Sequence, residues 1–206
     1  MIEVYCFGRR PSADDVVGLT RDLRVLWAVE ELELSYRPVP IDLASLSAME
    51  ASILGPFRQL PVIVDEGQVV RESGAILLYL AEKSGRVSSL LERSHLTQWV
   101  FTVLTTLEPR IGAVWNQRSQ KPRDQRAVET AHRRLNQLEQ FLATSTYLLD
   151  QFSVADILLS TVLAVAKRVD LTHSYPSLTA YLAACEDRPA RRKSLEEYES
   201  RVGLRA

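Results

Sequence analysis

Glu72 and Ser73 stand side by side where a short apolar strand gives way to a buried helix. Val69 and Val70 belong to the strand, and Ala75-Ile76-Leu77-Leu78-Tyr79-Leu80-Ala81 is an apolar helical run. The start of a helix presents backbone N–H groups that the helix itself leaves unpaired, and these favour an anion. A carboxylate beside them takes an ammonium, while the hydroxyl and the amides take a carboxylate. The pair can therefore hold a small zwitterion. Upstream, Gln59-Leu60-Pro61 leads into the apolar run Val62-Ile63-Val64, and Glu66-Gly67 marks a tight turn back. Each feature has a plainer use: Ser73 is a good helix N-cap without any ligand, and Pro61 can simply begin a strand.

Other chemistries find less support. Cys6 and Cys185 are far apart and form no Cys-x-x-Cys motif, which argues for a reducing cytoplasm and against a disulfide framework. His95, His132 and His173 are scattered, so no metal is expected. The net charge of −1 provides no field for nucleic acid or an acidic membrane. Arg191-Arg192-Lys193 is offset by Glu196, Glu197 and Glu199 and reads as a solvated helix face. No charged and apolar leader opens the chain, and no apolar run approaches the ~20 residues of a membrane span. With 46% hydrophobic and 25% charged residues, the 206-residue chain has the composition of a soluble globular protein of one or two domains.

The elements that position the Glu-Ser pair alternate. The pattern predicts a strand over 2–7, a helix over 21–34, a strand over 36–41, a weak helix over 44–54, then the hairpin and a helix over 73–83. Pro38 and Pro40 confine their strand to a sheet edge. Residues 84–89 form a polar break, and everything beyond reads as helix. Leu96, Trp99, Val100, Val103, Leu104 and Leu107 make one stripe that Pro109 should kink or end. Leu135, Leu138, Phe141 and Leu142 mark another helix. Ser153-Val154-Ala155-Asp156 reads as a capping box, with Phe152 and Ile157 as its staple, ahead of an apolar helix over 157–169. This box belongs to folding, and replacing Asp156 with Ala should cost on the order of 1 kcal/mol or more.

The Leu-Pro strand, hairpin, Glu-Ser pair and apolar helix together resemble the glutathione transferase family. The capping box and Arg188-Pro189-Ala190 extend the resemblance over nearly the whole chain. It implies an α/β plus all-α fold: a thioredoxin-like, glutathione-binding domain (βαβαββα) at 1–83 and an all-helical domain at 90–206. It implies a cis Pro61, with Leu60 offering its backbone to the cysteinyl part of glutathione, Glu72 and Ser73 holding the γ-glutamyl end, and Gln59 at the glycyl end. Glutathione as co-substrate, no metal, and a cytoplasmic homodimer active in detoxification are part of the same expectation.

Transferase chemistry needs the thiolate of glutathione, and in this family a donor near the start of the first helix favours it. The usual serine position falls here on Leu19, and the nearest hydroxyl is Thr20, the leading candidate catalytic residue. Its structural alternative is an N-cap, with Asp22 in the first turn. Tyr5, Cys6 and Ser12 are weaker candidates. Gly18-Leu19-Thr20-Arg21-Asp22-Leu23-Arg24 and Pro56-Phe57-Arg58-Gln59 resemble a bacterial branch, with Arg58 where glycine is frequent. Arg58 is either an anion partner or a solvated residue. Trp99, Phe101, Thr105 and Thr106 lie on the helix that borders the electrophile pocket in the family. Three functions follow: conjugation of glutathione to a small hydrophobic electrophile, glutathione-dependent disulfide reduction or peroxidase activity, and binding without turnover.

Overall fold

The computed structural model describes residues 1–8, 19–46, 49, 51–120 and 122–202. In chain order its elements are β1 (Ile2–Phe7), α1 (Arg21–Glu31), β2 (Tyr36–Ile41), α2 (Ala51–Leu54), β3 (Val62–Asp65), β4 (Gln68–Arg71) and α3 (Ser73–Lys83). There follow α4 (Leu90–Phe101), α5 (Glu108–Trp115), α6 (Gln125–Leu142), α7 (Val154–Arg168), α8 (Pro176–Glu186) and α9 (Pro189–Val202). Two compact units result: Met1–Val87 with the segment from Pro189 onward, and Ser88–Arg188. The fold is a thioredoxin-like N-terminal domain followed by an all-helical one. The last helix, however, packs with the first unit, whereas the sequence reading runs the helical domain on to 206.

In the first unit the sheet order is β2-β1-β3-β4, with β1 and β2 parallel and the other pairs antiparallel. The prolines sit as their chemistry requires: β2 lies at an edge, where Pro38 and Pro40 pair with Val4 and Cys6. The expected helix over 44–54 is instead a 3-10 turn at Leu43–Ser45 and the four-residue α2. Val62 and Ile63 are fully buried, as are Ile76, Leu77 and Leu80 of α3.

Helix α1 is buried from Asp22 to Val29. An amphipathic surface helix would keep a wet face, but here α9 takes that place. Leu23 clusters with Tyr198 and Val202, and Lys193 reaches Glu30 at 2.6 Å. Arg201 lies 3.7 Å from the buried Asp22 and donates to Glu197 at 3.1 Å.

In the second unit, α4 opens on a capping box: Glu92 N–H donates to Ser89 Oγ at 3.1 Å, and the Glu92 carboxylate accepts the Ser89 N–H at 3.0 Å. Pro109 does not end the helix. It lacks the N–H that would serve the carbonyl of Thr105, and the chain responds with a π-helical stretch, Thr102–Leu107. The Arg110 side chain donates to that Thr105 carbonyl instead. One inserted wide turn thus absorbs the proline. Trp99 packs on Phe141, with ring centroids 5.0 Å apart.

Asp156 is the buried centre of this unit. Its Oδ2 accepts from the Ser153 N–H and hydroxyl, both at 2.9 Å, as the capping reading expects. Its Oδ1 also accepts from Leu148 N–H at 2.9 Å and from the Tyr181 hydroxyl at 2.7 Å. The carboxylate therefore joins the preceding loop, α7 and α8, well beyond the local box read from sequence.

Candidate functional site

A small solvent-open cleft lies in the first unit, lined by Arg21, Leu54, Pro56, Phe57, Gln59, Leu60, Pro61, Arg71, Glu72 and Ser73. All five residues assigned from sequence to glutathione binding, Gln59, Leu60, Pro61, Glu72 and Ser73, are on its wall. Thr20 is not on the wall, but the next residue is.

Part of the cleft lining, Gln59, Leu60 and Pro61, comes from the residues just ahead of β3. The Leu60–Pro61 peptide is cis. The pairing of β1 with β3 runs from Val64 to Val62, so Leu60 lies beyond the ladder with its backbone outside the sheet.

Glu72 occupies the N-cap position of α3, with φ 65° and ψ 120° and no side-chain cap. A side-chain-bearing residue held there costs of order 1–3 kcal/mol and persists only where its neighbours impose it. They do so here. Arg71 is locked in register with Val62, and the Glu72 carbonyl accepts the Ile76 N–H at 2.9 Å. The Glu72 side chain is exposed. Ser73 is the first helical residue, so it is not the N-cap of the plainer reading. It is 6% exposed.

The far end of α3 is anchored on the hairpin. Tyr79 donates to Asp65 at 2.6 Å, and Lys83 reaches the same carboxylate at 2.7 Å. Burial alone would raise the Asp65 pKa, but the bonds from Lys83 and Tyr79 outweigh it and hold the carboxyl below its ordinary range.

Thr20 is the N-cap residue of α1 by backbone conformation (φ −75°, ψ 148°), yet its side chain makes no capping bond. Its carbonyl accepts the Leu23 N–H at 3.2 Å. Its Oγ1 is buried and has no hydrogen-bond partner among the described residues. Asp22 accepts the Phe7 N–H at 3.0 Å and so ties the start of α1 to the end of β1. The helix that would polarise a sulfur is therefore fixed to the sheet.

The weaker candidates fare differently. Tyr5 donates its hydroxyl to Glu3 at 3.3 Å. Burial pushes the Cys6 thiol up to about 12, against a partly opposing field from Arg201. Ser12 lies outside the described residues. Arg58 has φ 48°, which accounts for the frequency of glycine at its place, and it donates to the Met49 carbonyl at 3.1 Å. Thr105 bonds the Phe101 carbonyl of its own helix at 2.8 Å.

The sequence reading missed Arg21 and Arg71. Nothing in their spacing marks them: Arg21 is simply the first residue of α1, and Arg71 reaches across to the turn at Gly55. Among the described residues no three His, Cys, Asp or Glu side chains are grouped to hold a metal, and no helix is long and apolar enough to cross a membrane.

A thioredoxin-like unit with a cleft at two helix starts, followed by a helical unit, defines the class. Comparison with known proteins gives the family. The model of the N-terminal domain of glutathione S-transferases matches residues 15–82, and that of the C-terminal domain matches residues 97–189. The glutathione S-transferase-like protein OpS6 of Beauveria bassiana (strain ARSEF 2860) is 30% identical over 193 residues, covering 82% of this chain and 87% of the relative. The disulfide-bond oxidoreductase YfcG of Escherichia coli (strain K12) is 38% identical over 95 residues, 41% of this chain and 44% of that protein, so this match spans less than half of its length. A glutathione transferase from Burkholderia graminis, solved with two glutathione molecules per subunit, has a TM-score of 0.75 at 26% identity, covering 95% of this chain and 87% of that one. The chain belongs to the glutathione S-transferase family.

Proposed function

We propose that this protein binds glutathione in the cleft and conjugates its thiolate to a small hydrophobic electrophile. The observation that carries the reading is the gathering of Gln59, Leu60, Pro61, Glu72 and Ser73 on one wall, at a helix start whose N-cap side chain leaves the amides open. The Ser73 hydroxyl and the first amides of α3 take the γ-glutamyl carboxylate, and Glu72 takes the ammonium. The Leu60 backbone, free of the ladder, pairs with the cysteinyl residue, and Gln59 meets the glycyl end. A cytoplasmic homodimer of the bacterial branch belongs to the same reading.

In this reading Thr20, the neighbour of the wall residue Arg21, is the donor to the sulfur, its buried Oγ1, unpaired among the described residues, turning toward the ligand when glutathione binds. A free thiol titrates near ~8.5. A hydrogen bond to a charged acceptor contributes about 1.5–3 kcal/mol, and a helix N-terminus about 0.3–1 kcal/mol. Each pKa unit corresponds to ~1.4 kcal/mol, so the two together lower the midpoint by about 1.3–2.9 units, which brings the bound thiol into or below the neutral range.

Titrating glutathione into the protein and following thiolate ultraviolet absorbance across pH tests this. The expected midpoint lies well below that of free glutathione. Saturable binding with an unshifted midpoint points to binding without turnover, and absence of binding removes the proposal.

A second reading, disulfide reduction, is favoured by the resemblance to the Escherichia coli disulfide-bond oxidoreductase. Burial holds both Cys6 and Cys185 near a pKa of about 12, so neither supplies a thiolate. The exchange then runs on two glutathiones. The first thiolate attacks the disulfide and expels one thiolate. The second attacks the mixed disulfide, expels the other and leaves glutathione disulfide. Turnover of a small disulfide, with none of an aryl halide, selects this reading.

A further inference from the structure

We infer that Arg71 is a positioning residue of the cleft, setting the gap between its two walls; the inference rests on the glutathione reading. One wall is the β4–α3 junction with Glu72 and Ser73. The other is the chain from α2 through Pro56 and Phe57 to Gln59. Arg71 belongs to the first wall by its backbone, which pairs with Val62. Its side chain belongs to the second: Nε donates to the Ile53 carbonyl at 2.7 Å, and Nη2 donates to the Ser52 carbonyl.

Those carbonyls need the donors. Helix α2 has four residues, too few to hold itself by its own hydrogen bonds. The last carbonyls of any helix have no partner within it. A planar guanidinium meets two adjacent carbonyls with two fixed N–H groups, which a single ammonium does less well.

The turn that follows is shaped to admit this arginine. Gly55 has φ +71°, and a Cβ there would fall 2.9 Å from both Cδ and Nε of Arg71. Gly55 thus serves the backbone conformation and the passage of the side chain together. The residue after Arg71 is the strained Glu72, so the same clamp helps hold the carboxylate that would meet the ammonium of the ligand. Nothing in this arrangement places Arg71 on the reacting sulfur. Its effect should appear in ligand affinity.

Calorimetric titration of glutathione into the wild type, Arg71→Met, Arg71→Lys, Gly55→Ala and the Arg71→Met/Gly55→Ala double variant tests the assignment, at a temperature where circular dichroism shows each one folded. The expected result is an affinity loss of about tenfold or more in Arg71→Met and in Gly55→Ala. The double variant should be no weaker than the worse single by more than about twofold, because both lesions break one contact. Arg71→Lys keeps the charge and most of the stem but not the fork of two N–H groups, so it should fall between wild type and Arg71→Met. Wild-type affinity in Arg71→Met overturns the inference, as do losses that multiply in the double variant. Full affinity in Arg71→Lys overturns it too, since charge alone would then suffice. A wild type that does not bind glutathione removes the functional reading itself, an outcome distinct from these.

Discussion

The helix starts of the two units are built differently. In the helical unit, α7 and α4 begin on complete capping boxes, Ser153 with Asp156 and Ser89 with Glu92. In the thioredoxin-like unit, α1 and α3 begin on Thr20 and Glu72, and neither side chain caps its helix. A cap contributes roughly 0.5–2 kcal/mol, so leaving two starts uncapped gives up stability. Both of these starts border the cleft. Where the amides serve only the fold they are closed by the protein's own oxygen atoms, and where a ligand is expected they are left open.

The largest effect should come from the closed kind. Asp156→Ala removes four bonds from a fully buried carboxylate and strands the Leu148 N–H, so we expect a loss of about 3 kcal/mol or more, measured by denaturant unfolding. A loss below about 1 kcal/mol would mean that the box is no more than a local cap.

The open kind should behave in the opposite way. Ser73→Ala should change stability by less than about 0.5 kcal/mol while weakening glutathione binding by about 2 kcal/mol, roughly thirtyfold. A large drop in melting temperature with affinity intact would erase the distinction between the two kinds of start.

Thr20→Ala should lower turnover about tenfold, or ~1.4 kcal/mol, with glutathione affinity preserved, and should raise the midpoint of the bound-thiol titration. Unchanged kinetics would move the sulfur contact to another group.

The smallest effect concerns the far end of α3. Because Lys83 and Tyr79 hold the Asp65 pKa below the ordinary 3.8, the native state binds fewer protons than the unfolded chain in that range. The stabilisation is therefore full above 3.8, declines as pH falls through the lowered value, and is gone below it. Asp65→Asn should be less stable than wild type at neutral pH, with a gap that closes in acid. A gap that stays constant with pH would deny the pairing.

Much of this contrast could be read from the chain. β1, β2 and α3 fall on the expected residues, because alternation, edge prolines and an uninterrupted apolar run are local signals. So is Ser153-Val154-Ala155-Asp156. What escaped depends on partners distant in sequence. Asp156 meets Leu148 and Tyr181 only once α8 is in place. Arg71 meets Ser52 and Ile53 only because Gly55 turns the chain beneath it. The π-helical stretch before Pro109 is one of several responses open to a helix with a proline, and the choice depends on Arg110 reaching the freed carbonyl. The gathering of the five cleft residues came from the family resemblance, since no periodicity relates Gln59 to Ser73.

The seating of α9 against α1 also bears on the order in which the molecule comes into being. Leu23 faces Tyr198 and Val202, so the surface that α1 needs is the last stretch of the described chain to leave the ribosome. At ~5–20 residues per second, the gap between the end of α3 and the end of α9 takes on the order of ten seconds to translate. For that interval the sheet and its first helices exist with a greasy flank uncovered, and the helical unit, Ser88–Arg188, receives all its own parts before α9 is made. The unit that begins the polypeptide is thus the one finished last.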